Sequence, residues 1–192
     1  MKRKLGSVQY MYPVPIVLIG TANDQGDVDF TEVGDCSVGG IKSPLITISL
    51  NDSYLSTKNI LKTGGFSLNI PNTEMLSKTD FCGIYSGTTV DKSDLFEYIL
   101  SDKKRVPIIE SCPLNMECEV IKEFLIEKRH FFVGKVVETY INEEYVDEEN
   151  GKIKISDLTV LDPIIYALDN NYYSIGRVIG KGYAEGKLLK KD

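Results

Sequence analysis

The sequence predicts a mainly β protein, a β-barrel with short helices plugging its ends. Three observations carry this. Short β-rich apolar runs, each bounded by Gly, Pro, Asn or Asp, recur along the whole chain. Residues 116–126 alternate with a period of two and are followed after a short turn by "HFFVGKVVETYI", which makes a long antiparallel hairpin. Only two segments carry helical spacing, and both are short, so the strands must bury one another.

"VPIVLIGTA" (14–22) is a continuous apolar run, the pattern of a strand buried on both faces, and "NDQG" (23–26) turns the chain before "DVDFTEVGDCSV". "PLITISL" (44–50) is a second β-rich run. Ser53 is expected to cap a short helix through "STKNILKTGG", stopped by Gly64 and Gly65. "FSLNI" (66–70) reads as a strand ended by Pro71, and "NTEMLSKTDFCGI" as a helix that delivers the chain into "CGIYSGTTVDKSD". In 116–126 the even positions are expected to face the core, while Glu117, Glu119, Glu123 and Glu127 line the solvent face, with a three-residue turn after Ile126. "NEEYVDEENGK" reads as a solvated tip, "IIYAL" and "YYSIG" as short final strands.

At 192 residues the chain is expected to form one domain, 1–192, with a charged C-terminal tail, 183–192, that frays. A net charge of −6 argues against nucleic acid or an anionic membrane as partner, so an anionic ligand must be held by local lysines and amides. No segment has the roughly 18 apolar residues of a membrane span, and the basic N-terminus lacks the apolar stretch of a signal peptide, which points to the cytoplasm. Cys36, Cys82, Cys112 and Cys118 form no CxxC pair and are read as buried or half-buried reduced thiols, with no metal expected. "GRVIGKG" (176–182) has one residue too few for a phosphate-binding loop and lacks the following Ser or Thr, and no GxGxxG follows a strand.

The segment "CGIYSGTTVDKSD" (82–94) is the unusual one. Gly83 and Gly87 allow sharp turns or close approach, hydroxyls and amides offer hydrogen bonds, and Lys92 offers a positive charge. Such a loop suits an anion. With "VPIVLIGTANDQGDVDFT", "SPLITISL", "STKNILKTGGFSLNIP", "CPLNMECEV", "HFFVGKVVE" and "YYSIG" falling in order around it, the chain resembles the flavin reductase-like, FMN-binding split-barrel family, which includes the flavoredoxins.

That resemblance implies a six-stranded Greek-key barrel, a homodimer and one FMN per subunit near the dimer interface. It implies that Ser86 and Lys92 lie against the flavin, that Thr31 bonds it, and that Ser53, Ser56 and Thr57 lie where the phosphate contacts fall. Asp29, Ser49 and His130 complete the set of cofactor-binding candidates. The implied function is an oxidoreductase that moves electrons from NAD(P)H or another donor through bound FMN to a flavin, a metal chelate or a protein; the alternatives are a non-enzymatic FMN electron carrier and a barrel whose altered site has lost redox activity. The cofactor performs the chemistry in such proteins, so no catalytic side chain is assigned. Three features depart from the family pattern, the first being that the aromatic residue common after the first turn is missing from "EVGDCSV". Asp29 stands where Asn is frequent, and Asn51-Asp52 stand where an arginine is usual.

Overall fold

The computed structural model describes residues 1–149, 152–155, 159–167 and 169–189. The chain runs β1 (Val14–Pro15), β2 (Val17–Ala22), β3 (Val28–Val33), β4 (Cys36–Gly40), β5 (Leu45–Asn51), α1 (Leu55–Thr63), β6 (Gly65–Ile70), a 3-10 turn (Thr73–Met75) and α2 (Leu76–Ile84). Then come β7 (Tyr98–Leu100), β8 (Pro107–Ile109), β9 (Leu114–Ile126), β10 (Arg129–Ile141), β11 (Val146–Glu149), β12 (Lys152–Ile155), β13 (Ile165–Tyr166) and β14 (Tyr172–Tyr173).

Seven strands pair in the order β3-β2-β6-β9-β10-β5-β4, and every pairing is antiparallel. The edge strands β3 and β4 are consecutive in the chain, separated only by Gly34 and Asp35. Two residues cannot span a flat seven-stranded sheet, so the sheet curls until its edges meet. β5 and β6 are joined through α1 yet separated in the sheet by the β9–β10 hairpin, a Greek-key crossover. The expected mainly β barrel with short helices is the observed architecture, with seven strands in its sheet instead of six.

The continuous apolar run of β2 is explained by burial on both faces. Val17 and Ile19 point into the barrel with Val33, Ile48, Leu50, Phe66 and Phe132. Leu18 and Ala22 point outward into a second apolar cluster with Phe30, Met75, Cys82, Phe96 and Ile109, which glues α2 to the outside of β3. Helix α1 sends Ile60 into the barrel cluster, so it plugs one end. Gly64 ends it in the left-handed conformation at φ 67° and donates its N–H to Ile60 O, as expected of a glycine stop.

Five expectations are corrected. The even positions of 116–126 do not all face the core: beyond the register shift opposite Val133 and Gly134 the hairpin extends past the barrel, and Phe124 and Ile126 are exposed. Ser53 does not cap α1: Tyr54 occupies the N-cap position in extended conformation without a side-chain cap, and Asn51 organises the entry. Its Oδ1 accepts from Ser53 N (3.0 Å) and Ser53 Oγ (2.8 Å), and its carbonyl accepts from Tyr54 N (3.2 Å) and Thr57 Oγ1 (2.7 Å). The β9–β10 turn is two residues, Glu127 and Lys128, because Glu127 takes a left-handed φ of 54° and Arg129 already pairs with Ile126. Glu117 does not face solvent. It is fully buried, because the 101–104 segment folds over β9 and covers it. The acidic stretch is not a bare tip, since β11 and β12 pair across it; its residues 150 and 151 lie outside the described residues, as do 190–192 of the tail.

Candidate functional site

A cleft opens where the start of α1, strand β3 and the loop after α2 converge. Thr31, Glu32, Tyr54, Cys82, Tyr85 and Lys92 are among the residues that line it. The loop is built by Ser86, whose carbonyl accepts the N–H groups of Thr89 and Val90, each at 3.0 Å, while its Oγ lies 2.8 Å from Thr88 Oγ1. This tight turn sends the chain back so that Lys92 lies beneath it. Lys92 Nζ donates to Tyr85 O at 3.2 Å, and the residue is only 2% exposed.

A lysine so buried requires a counter-charge, because desolvating an isolated ion costs several kcal/mol. Asp29 of β3 supplies it, with Oδ1 3.2 Å from Lys92 Nζ, although that contact lacks hydrogen-bond geometry. The other carboxylate oxygen accepts from Ser56 Oγ of α1 at 2.7 Å, and Ser56 Oγ lies 2.6 Å from Thr31 Oγ1. Thr31 Oγ1 is 3.4 Å from the same oxygen. Asp29 thus ties three elements together, and its charge is compensated within the protein.

Gly83 and Gly87 serve close approach; neither has a positive φ. A Cβ at Gly87 would sit 2.3 Å from Asp29 Oδ1, and one at Gly83 would sit 2.1 Å from Glu32 Oε2. The loop therefore presses directly on two carboxyl groups.

Of the sequence-predicted residues, the structure joins Asp29, Thr31, Ser56 and Lys92 in one bonded cluster, with Ser86 on the cleft rim. Ser49, Ser53, Thr57 and His130 are not among the lining residues. Ser49 Oγ accepts from Arg129 Nε at 2.8 Å, and the same guanidinium pairs with Asp35. His130 Nδ1 lies 2.6 Å from Glu123 Oε1. Thr57 is fully buried and spends its one hydroxyl hydrogen on Asn51 O. Thr57→Ala is accordingly expected to lower stability by about 1–2 kcal/mol and to weaken FMN and riboflavin alike; ligand titrations in which FMN alone is weakened contradict this.

Sequence reasoning passed over Glu32, Tyr172 and Asp80. Tyr172 Oη donates toward Asp80 Oδ1 at 2.7 Å and lies 3.0 Å from Glu32 Oε1. Burial pushes the Glu32 carboxyl up to about 7; the Tyr172 hydrogen bond opposes the shift and the Asp80 charge adds to it. A tyrosine in "YYSIG" was the only sequence signal, and nothing local connects it to β3. Cys82 in the cleft is a neutral thiol, pushed up to about 12 by burial in spite of Lys92. Cys112 and Cys118 are also buried and Cys36 is half-buried, as the sequence suggested.

The model of the flavin reductase like domain matches residues 9–175. The chain is similar to the crystal structure of flavoredoxin from Methanosarcina acetivorans at 34% identity, covering 99% of this chain and 100% of that one with a TM-score of 0.90. It is similar to the flavoredoxin of Desulfovibrio vulgaris (Miyazaki F) at 25% identity, covering 97% and 100% with a TM-score of 0.85. An FMN-binding protein from Thermus thermophilus, 20% identical over 94% of this chain and 97% of its own, shares the fold with a TM-score of 0.76. The barrel closed through β3 and β4, with a plugging helix and a lysine loop packed on its side, is thus the split barrel of a known group, and this chain belongs to the flavin reductase like family.

Proposed function

We propose that the protein, working as one domain, is an FMN-binding oxidoreductase of the cytoplasm that moves electrons from NAD(P)H or another donor to a flavin, a metal chelate or a protein acceptor. The single observation that carries this is the buried Lys92 in the cleft. Its ammonium has three hydrogens, of which Tyr85 O takes one, and its contact with Asp29 is not a hydrogen bond, so donor capacity remains for an anionic ligand. The acid at position 29, which beside a flavin would oppose its reduction, is held by Lys92, Ser56 and Thr31, so its departure from the family pattern does not exclude the cofactor. Ser86 and Thr31 supply hydroxyls from the rim and from β3.

FMN would be held by Lys92 and the loop on one side. On the other, the first-turn amides of α1 near Ser53 suit a phosphate, because an α-helix N-terminus presents unbonded N–H groups. Bound there, FMN would supply two-electron hydride chemistry. The chain's own residues orient the ligand and exclude water, and the neutral Cys82 thiol supplies no nucleophile. Ser49 and His130 belong to this reading only as neighbours of the α1 entry, where Asp52 N donates to Lys128 O at 2.9 Å. Among the described residues no helix is long and apolar enough to cross a membrane.

Anaerobic mixing of the purified flavin-loaded protein with NADH or NADPH tests the reading. Rapid bleaching of the yellow colour is expected for an oxidoreductase. No bleaching with either nucleotide favours the second reading, an electron carrier, which the likeness to two flavoredoxins supports.

The same reading includes a homodimer. Beyond Val120, among the described residues, strand β9 pairs with β10 alone, and this arm exposes Ile121, Phe124, Leu125 and Ile126, each more than 40% accessible. Phe124 stacks on Phe131 at 5.2 Å, which makes a flat apolar face of the kind a second subunit covers. Light scattering at micromolar concentration is expected to give twice the 21.5 kDa chain mass, and a monomer mass contradicts the expectation.

A further inference from the structure

The wall of the cleft contains an arrangement that flavin binding does not explain. Glu32 of β3 and Asp80 of α2 both lie within hydrogen-bond distance of one phenol oxygen, that of Tyr172 in β14. A phenol has one hydrogen and can donate it to only one carboxylate. The other carboxyl can meet the phenol oxygen favourably only by donating a proton of its own. Three oxygens therefore share two hydrogens, one more than the phenol brings. The shorter contact is to Asp80, which assigns the phenol hydrogen to Asp80 and the extra proton to Glu32.

Glu32 is also the member of the trio that lines the cleft. Its second oxygen, Oε2, faces Gly83, where the backbone approaches so closely that no side chain fits between them. The other charged or titratable groups around it are Lys92, Cys82, Tyr54 and Tyr85, which line the same cleft, and Asp29 on the same strand, whose charge Lys92 already balances. Ionising Glu32 would thus place an uncompensated negative charge beside whatever anion Lys92 receives.

We propose that Glu32 stands in the cleft as a neutral carboxylic acid, donating its proton to the Tyr172 phenol oxygen while the phenol donates to Asp80, and that loss of this proton expels an anionic ligand from the cleft. This deepens the flavin reading and rests on it, with FMN the anion concerned. The trio also joins β3, α2 and the C-terminal hairpin, so the same proton fastens that hairpin to the barrel.

The free chain gives one readout without any ligand. A carboxyl pushed above its ordinary range favours folding at low pH and loses that contribution as pH rises, first as the unfolded chain ionises near 4.5 and fully once pH passes about 7. Thermal melts of Glu32→Gln, which cannot ionise, are expected to match wild type at about pH 5 and to exceed it at about pH 8. Carbon-13 spectra of the glutamate carboxyls are expected to show a resonance that titrates near neutrality, is missing in Glu32→Gln, and moves to lower pH in Asp80→Asn, which removes the neighbouring charge.

The decisive arm is FMN titration of the full chain between about pH 7 and about pH 9, above the second ionisation of a phosphate monoester. Wild-type affinity is expected to fall with pH, by at most about tenfold per pH unit for one linked proton, while Glu32→Gln stays flat. Equal pH dependence in both proteins, with FMN bound, overturns the role of Glu32 and leaves the flavin reading standing. No FMN binding by either protein at any pH overturns the flavin reading and the linkage with it.

Discussion

Lys92→Met is expected to destabilise the protein by about 3–5 kcal/mol, because it leaves the Asp29 carboxylate buried without its counter-charge. The side chains of both partners are nearly inaccessible, at 1% and 3%, so solvent cannot take over the role of the lysine. Methionine keeps most of the volume, which excludes a cavity as the cause. The double variant Lys92→Met with Asp29→Asn removes both charges and keeps hydrogen-bonding partners for Ser56 and Thr31. It is expected to regain most of the lost stability. Urea unfolding of wild type, both single variants and the double gives the coupling directly; additive losses in that cycle would show that the two residues do not act as a pair. The double variant also separates folding from ligand binding, since it is expected to fold yet to bind FMN more weakly, having lost the cation of the cleft.

Glu117→Ala is expected to cost a similar amount, about 3–5 kcal/mol, for a different reason. One buried carboxylate accepts hydrogen bonds from Ser101 Oγ (2.9 Å), from the backbone N–H groups of Lys103 (3.1 Å) and Lys104, and from Tyr140 Oη (3.3 Å). Alanine strands these donors in a covered site, and each hydrogen bond to a charged acceptor contributes roughly 1.5–3 kcal/mol before the segment relaxes toward water. Hydrogen exchange at Lys103 and Lys104 is expected to accelerate more than exchange in β2 or β6. A uniform acceleration across the barrel, or none, would show that Glu117 does not anchor that segment. Glu117→Gln keeps one acceptor oxygen and is expected to lose less.

Much of the fold was legible because periodicity reports burial. The unbroken apolar run of β2 signalled two buried faces, and the alternation through β9 with the apolar β10 signalled the hairpin. Gly64 marked the end of α1 because few other residues take a left-handed stop. Glu117 was misread by the same rule. Alternation tells which side of a strand a residue occupies, but not that another segment covers that side. Ser53 was misread because a serine before a helix is the usual cap, whereas Asn51 offers both an amide oxygen and a carbonyl in the right place.

The candidate site was legible only in part. The resemblance singled out Asp29, Thr31, Ser56 and Lys92, and these are the residues that the fold bonds together. Their mutual bonding was not legible, since Asp29 and Ser56 are 27 residues apart and nothing local links them. Glu32 and Tyr172, 140 residues apart, are further beyond the reach of spacing arguments. In each case the sequence names a group with hydrogen-bonding or charge capacity, and only the closed barrel decides which partner uses it.

A flavin site built on Lys92 is tested most directly by titrating the purified, flavin-stripped protein with FMN, followed by flavin fluorescence or absorbance. Saturation at one FMN per chain is expected, with binding weakened in the folded double variant of Asp29 and Lys92. Absence of saturable FMN binding by the folded wild-type chain, or equal binding by that double variant, would contradict a flavin site built on Lys92.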